Sequence, residues 1–218
     1  GPLNAIAGLY YFHEKFDARS DADLLGFLTF AQGALPLITE AHRDNKAFAI
    51  FGQGTYSVTP ALRVTLGGRY TVDKVKADHR ADLIPGYFDA GIPDGAPIPL
   101  VPFAELDDEF KSVSWRVAAD YDITDNILAY ASIDRGFKAG GFNIGIITSV
   151  AERTTVDPEY LTSYEVGLKT TLFDRKLRLN VSAFHYDYTD LQVLSVNQQA
   201  GSAVPTLGLD NAADATID

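Results

Sequence analysis

The chain reads as an all-β protein: an antiparallel up-and-down meander of long strands, of the kind that forms the wall of a transmembrane β-barrel. Three observations point there. Seven stretches alternate polar with apolar side chains, the pattern a strand imposes because successive residues point to opposite faces. The joints between these stretches alternate strictly between very short and long, as in barrels that carry tight turns on one rim and long loops on the other. The stretches run for roughly a dozen residues, longer than the ~5–6 of an ordinary globular strand and enough to cross a bilayer at a tilt.

The elements follow in order. Ala5–Phe16 and Ala47–Tyr56 are apolar or small on both faces, so their orientation stays open. Leu62 to Asp73 is clear: Leu62, Val64, Leu66, Tyr70 and Val72 form one face, and Arg63, Thr65, Arg69, Thr71 and Asp73 the other. In Val113–Tyr121 the apolar face is Val113, Trp115, Val117, Ala119 and Tyr121, set against Ser114, Arg116 and Asp120. Ile127–Phe137 is ambiguous. Tyr160–Leu172 puts Tyr160, Tyr164, Val166, Leu168 and Leu172 against Ser163, Glu165, Lys169 and Thr171. From Leu177, Leu179, Val181 and Ala183 alternate with Arg178, Asn180 and Ser182, and an eighth strand can begin near Asn211. The short joints are Ser57–Pro60, Asp122–Asn126 and Phe173–Lys176; the long ones, expected as loops, are Asp17–Arg43, Val75–Glu109, Ala139–Asp157 and Gln192–Asp210. Aromatic residues, including Tyr10, Tyr11, Phe12, Phe16, Tyr56, Tyr70, Phe110, Tyr121, Phe137, Phe142, Tyr160 and Phe173, gather toward strand ends as two interfacial girdles would.

Composition narrows the partners. A net charge of −11 offers no basic footprint for nucleic acid. The chain has no cysteine, which removes disulfide frameworks and thiolate metal sites. No run of about eighteen apolar residues marks a membrane helix, and no signal peptide opens the chain, so an exported barrel is expected to have another natural N-terminus. Gly1-Pro2 reads as a protease scar or as a turn entering the first strand.

The run from Leu128 to Asn143, in which a tyrosine-serine strand leaves through Gly136-Phe137-Lys138-Ala139-Gly140-Gly141-Phe142-Asn143, resembles a barrel strand of TonB-dependent outer-membrane receptors. Glu159–Lys169, the turn Phe173–Asn180, Phe184–Gln192 and the hairpin from Phe48 to Tyr70 are similar to further strands of that family. The resemblance implies a plug domain, an energy-coupling motif and a barrel of about 22 strands. With 7–8 strands, no plug-like segment and an end at Thr216-Ile217-Asp218, the whole of 1–218 is expected to be an internal piece of such a barrel, its sheet open at both edges.

The resemblance further implies active import of ferric siderophores or similar scarce nutrients across the bacterial outer membrane, coupled through TonB, with outer-membrane lipid, the receptor's own plug and the TonB complex as partners and no cofactor. Arg63, Arg69, Arg116, Asp120, Glu165, Lys169 and Arg178 would line the lumen, and capture would fall to the long segment Val75–Glu109, where His79, Arg80, Tyr87, Phe88 and Phe103 are the candidate contacts. Prolines at 85, 93, 97, 99 and 102 can instead stiffen that segment. Two other readings are a free-standing eight-stranded barrel and a soluble β-rich binding domain or hydrolase.

Other chemistry finds little footing. Lys138-Ala139-Gly140-Gly141 and Gly52-Gln53-Gly54 lack the strand, glycine-rich loop and helix of a phosphate site. His13, His42, His79 and His185 lack metal-ligand spacing, and Asp107-Asp108-Glu109 or Asp17 with Asp21 and Asp23 read as solvated charge rather than calcium ligands. No Ser-His-acid order suggests catalysis, and the Asn180-Val181-Ser182 sequon lies inside a strand.

Overall fold

The computed structural model describes residues 1–23, 36–83, 97–144, 150–197, 206–212 and 214–218. The strands are β1 (Leu3–Asp23), β2 (Pro36–Ser57), β3 (Leu62–Leu83), β4 (Ile98–Thr124), β5 (Ile127–Lys138), β6 (Gly141–Phe142), β7 (Thr155–Val156), β8 (Glu159–Leu172), β9 (Leu177–Thr189), β10 (Gln192–Asn197), β11 (Thr206–Asn211) and β12 (Ala215–Ile217). Eight of them form one antiparallel sheet in the order β1-β2-β3-β4-β5-β8-β9-β12, and β6-β7 and β10-β11 are small separate pairs. Among the described residues no ladder joins β1 to β12, so the sheet is an open meander.

Its burial is inside-out. Thr65, Thr71, Ser112, Ala118 and Ser132 are buried, whereas Leu66, Tyr70, Val113, Val117 and Val166 are exposed. The register sorts these residues cleanly: Thr65 opposes Ala118 and Ala118 opposes Ser132, while Leu66 opposes Val117 and Val117 opposes Ile133. Small and polar side chains therefore share one face, hereafter inner, and large apolar ones the other. An apolar face turned outward is stable only against lipid.

The outward band has two rims. Tyr11, Phe48 and Tyr70 mark the upper one, and Tyr56, Tyr121 and Phe173 the lower, all of them more than two-fifths exposed. Eight residues separate Phe48 from Tyr56, and again Val113 from Tyr121. That is about 27 Å of strand, or ~21 Å of height at a ~40° tilt, near the ~25 Å of an outer-membrane band. The rim steps downward from β1 to β9: Ala183, the last apolar outward residue of β9 before His185, sits in the register row of Leu3, well below Tyr11. Such a stagger is the shear that tilted barrel strands require. Not every aromatic joins a girdle, because the pleat decides: Tyr10, Phe12 and Phe16 fall on the inner face opposite Ala49, Ala47 and Arg43, and Phe110 and Phe142 belong to an inner cluster.

The turns below the lower rim are tight. At Val58–Ala61 the Thr59 hydroxyl accepts from the Leu62 and Ala61 amides at 3.0 and 3.2 Å, and at the next hairpin Thr124 accepts from Asn126 at 3.2 Å. The third is left-handed without glycine, with φ of 52°, 53° and 69° at Phe173, Asp174 and Arg175.

Above the upper rim the expected loops are largely strand. β1 continues to Asp23, β2 starts at Pro36, β3 runs to Leu83 and β4 starts at Ile98, so His79, Arg80 and Phe103 lie on strands rather than in a loop. The physical reason is a change of phase at Asp73–Lys74. Below it apolar residues point outward; above it Val75, Ala77 and Ala81 point inward and are buried, while Lys74, Lys76, Asp78 and Arg80 point outward. Past the lipid, water is outside, and the alternation inverts to hide its apolar face within. Two inner clusters result: Leu37, Ala81 and Val101, and Val75, Ala77, Phe110 and Phe142.

Candidate functional site

The inner face at membrane height carries a polar track. Arg63, Arg69, Arg116, Asp120, Glu165, Lys169 and Arg178 all fall on it by register. Most of its charges are tied locally. The Arg63 guanidinium donates to Asp122 at 3.1 Å, Arg116 pairs with Asp134 at 3.0 Å, and the Tyr130 hydroxyl donates to Glu165. Arg69 donates to Thr71 at 3.0 Å and lies 4.6 Å from the centre of the Tyr10 ring, and Lys169 lies 4.9 Å from that of Tyr130. These contacts leave cationic and aromatic surface directed at the lumen.

Higher up, residues 139–144 and 150–157 fold over the inner face. Arg153 carries the closure: its Nη2 donates to the carbonyls of His79 at 3.0 Å and Pro102 at 2.6 Å, bridging β3 and β4. Burial pulls the Arg153 guanidinium below its usual pKa. Gly140 fits because the Val156 carbonyl and the Phe110 ring leave no room for a Cβ there. Three side-chain amides stitch this segment to the β10-β11 hairpin. Asn143 accepts from the Leu209 amide at 2.8 Å and donates to its carbonyl at 2.7 Å; Asn211 accepts from the Asp157 amide at 2.8 Å; and Gln192 donates to the carbonyls of Ala139 and Asp157 at 3.0 and 2.9 Å. Each replaces backbone pairing that irregular segments cannot make for themselves.

The predicted capture residues separate. His79 is fully buried on the inner face beneath Arg153. Arg80 points outward, its Nε donating to Glu40 at 2.7 Å, with exposed Phe103 beside the same pocket. Tyr87 and Phe88 lie outside the described residues. The histidines do not converge: His13 meets Asp44, His42 meets Asp17 and His185 meets Asp187. Among the described residues no group of three or more His, Cys, Asp or Glu is placed to hold a metal ion. Outside the span, Lys111 and Lys74 hold the Glu109 carboxyl below its ordinary pKa, and a hydrogen bond donated to Asp17 holds the His42 imidazole above its own.

A wall that is apolar outside, polar inside and sheared across its strands is a barrel wall, and the family model of the TonB dependent receptor-like β-barrel matches residues 4–217. The chain belongs to the TonB-dependent receptor β-barrel family. Three solved structures show the same fold. The ferric yersiniabactin uptake receptor FyuA of Yersinia pestis is 18% identical with a TM-score of 0.71, over 88% of this chain and 27% of that one. The copper transporter OprC is 15% identical with a TM-score of 0.55, over 99% and 35%. The ferric-catecholate import receptor Fiu of E. coli K12, in its open form, is 15% identical with a TM-score of 0.51, over 85% and 27%. The chain thus spans about a quarter to a third of the length of these receptors.

As a TonB-dependent receptor barrel segment, the protein resides in the bacterial outer membrane. Its tight turns then mark the periplasmic rim and its long strands the outer surface. Sequence reasoning missed Arg153, Gln192 and Asn211, whose partners are remote in the chain. Asn143 stood inside the Gly140-Gly141-Phe142-Asn143 run, and its amide contacts account for that asparagine.

Proposed function

We propose that this chain is part of the barrel wall of an active importer, which takes up ferric siderophores or similar metal chelates with energy relayed through TonB and a plug domain filling the lumen. The observation that carries the reading is the inner polar track: most of its carboxylates are matched locally, while Arg69, Lys169 and Arg178 stay on the lumen side, Arg69 beside the Tyr10 ring and Lys169 beside that of Tyr130. Cations beside rings suit anionic, partly aromatic chelates and the acidic groups of a plug. Two of the similar structures are described as ferric-chelate receptors, which supports iron; the third is described as a copper transporter.

The test is uptake of radio-iron, presented as a panel of siderophores, by cells whose sole receptor is the complete protein. Accumulation that stops when TonB is deleted is expected. Uptake of a chelate at the same rate without TonB would overturn energy coupling, and uptake of copper in place of every iron chelate would overturn the substrate class.

A further inference from the structure

Two of the residues expected to capture ligand, Arg80 and Phe103, face away from the lumen, and the fold gives them a setting of their own. On the outward face one register row reads Arg19, Glu40 and Arg80 across β1–β3. Opposite that row β4 breaks its register. His79 pairs with Ala104 and Ala81 with Val101, so Pro102 and Phe103 together oppose Arg80, and a second shift follows at once where Asp82 meets Pro99. A bulge re-aims the side chains beside it. This one sends its two residues to opposite sides: the Pro102 carbonyl accepts from Arg153 on the inner face, while the Phe103 ring stands outside, 59% exposed.

Around that ring the polar groups are fixed. Glu40 accepts from Arg80 Nε at 2.7 Å and also takes its Nη2, and Arg19 Nη1 reaches the other carboxylate oxygen at 3.4 Å. Arg19 further lies 3.1 Å from Asp21, and Arg80 3.9 Å from Asp82. Two guanidiniums are thus held by three carboxylates, and the row below, Asp17, His42 and Asp78, adds more negative charge. An anion gains nothing there, and the nearest carboxylates are already spent on the arginines. Arg80 gives only its Nε and Nη2 to these acids, so guanidinium N–H groups remain for another acceptor. Two cavities share Glu40 and Arg80: one of about 500 Å³ walled by Ile38, Pro97 and Pro99, and one of about 250 Å³ walled by Phe103. Small-ligand sites run to ~300–1,000 Å³.

We propose that the outward face of β1–β4, beyond the lipid, binds an uncharged oligosaccharide, with one sugar ring stacked on Phe103 and its hydroxyls bonded to the fork of Arg80 and Glu40. A sugar carries hydroxyls that donate and accept around its edge and C–H groups on its face, so it matches a rigid set of donors and acceptors beside a bare aromatic ring. Its lack of charge suits a site whose own charges are already matched. Side chains locked before binding also spare the ordering cost that weakens association at flexible surfaces. Eight residues separate Phe48 at the upper rim from Glu40, about 27 Å of strand or ~21 Å of height at a ~40° tilt. The site therefore stands clear of the lipid, where glycans of the cell surface and sugars free in the medium can both reach it. It goes beyond the import reading and is independent of what the receptor carries.

The complete receptor in detergent is titrated by calorimetry with maltohexaose, cellohexaose and mannohexaose, and with the acidic hexasaccharide of hyaluronan. At least one neutral hexasaccharide is expected to saturate one site per receptor, at least tenfold more tightly than the acidic one and with no loss in added salt. Phe103→Ala should weaken that binding at least tenfold and Arg80→Gln likewise, whereas Phe103→Trp keeps it; a heat-modifiable gel band checks that each barrel is folded. Sugar released from receptor purified out of its own outer membranes is then identified by mass spectrometry. A neutral glycan that is lost from the Phe103→Ala protein assigns the ligand to the cell's own surface, and its absence beside a binding hexasaccharide assigns it to the medium. No saturable binding of any neutral hexasaccharide, equal binding of the acidic one, or undiminished binding by Phe103→Ala would overturn the proposal.

Discussion

Val117→Arg tests the inside-out assignment most directly. Val117 projects outward between Leu66 and Ile133, is 44% exposed, and stands four residues above Tyr121 and four below Val113 on β4. Four residues are about 14 Å of strand, or ~10 Å of height at a ~40° tilt, which puts the side chain near the middle of the band. An arginine at that depth costs about 2–4 kcal/mol, a loss of roughly 30- to 700-fold in the folding equilibrium. The control is its neighbour Arg116→Ala on the inner face. It removes a partly exposed ion pair with Asp134, which keeps its bond from the Ser132 hydroxyl at 2.9 Å, and should cost no more than about 1 kcal/mol. Both are read as urea midpoints of the complete barrel in lipid vesicles, with folded protein scored by its heat-modifiable gel band. Equal midpoints for Val117→Arg and wild type, or a larger loss for Arg116→Ala, would mean that the two faces have been exchanged.

Three further outcomes follow from particular contacts. Gly140→Ala would drive a methyl into the Val156 carbonyl and to 2.5 Å from the Phe110 ring, at a cost of about 1–3 kcal/mol to the docked segment; protease nicking within residues 139–157 should quicken while the barrel band stays unchanged, and an unaltered nicking rate would count against the docking. The hydrogen bond to Asp17 raises the His42 pKa above its ordinary 6.5, so its contribution is fully present below 6.5 and fades as pH rises through the folded value; the gap in urea midpoint between wild type and His42→Gln should therefore be wider at acidic than at alkaline pH, and a pH-independent gap would refute it. Arg175→Gly relieves a left-handed backbone at φ 69° and should raise stability by about 0.5–1 kcal/mol after glycine's extra unfolded freedom is counted, whereas a lower urea midpoint would show that the arginine side chain matters more than the strain.

The faces of β3, β4, β8 and β9 at membrane height were legible without coordinates, because the direction of a side chain in a strand depends only on its own pleat. Leu66 and Val117 outward, Arg63 and Arg116 inward, need nothing beyond period two and the judgement that the apolar side meets lipid. Val75–Leu83 misled for a related reason. It alternates just as strictly, but with its phase inverted, so a window crossing Lys74 averages the two patterns into a loop-like signal. The inversion itself was present in Lys74-Val75-Lys76-Ala77-Asp78-His79-Arg80-Ala81.

What the sequence determined alone was therefore local: which stretches are strands, which side of each is wet, and which joints are tight. Tertiary structure decided everything that depends on a partner remote in the chain. His79 is buried because Arg153, 74 residues away, bonds its carbonyl; Asn143 is tied because Leu209, 66 residues on, offers both backbone groups; and Arg19, Glu40 and Arg80 become one cluster because three strands align their register. A pleat fixes direction within a few residues, whereas register and docking are set by surfaces that meet only after the chain has turned back on itself several times.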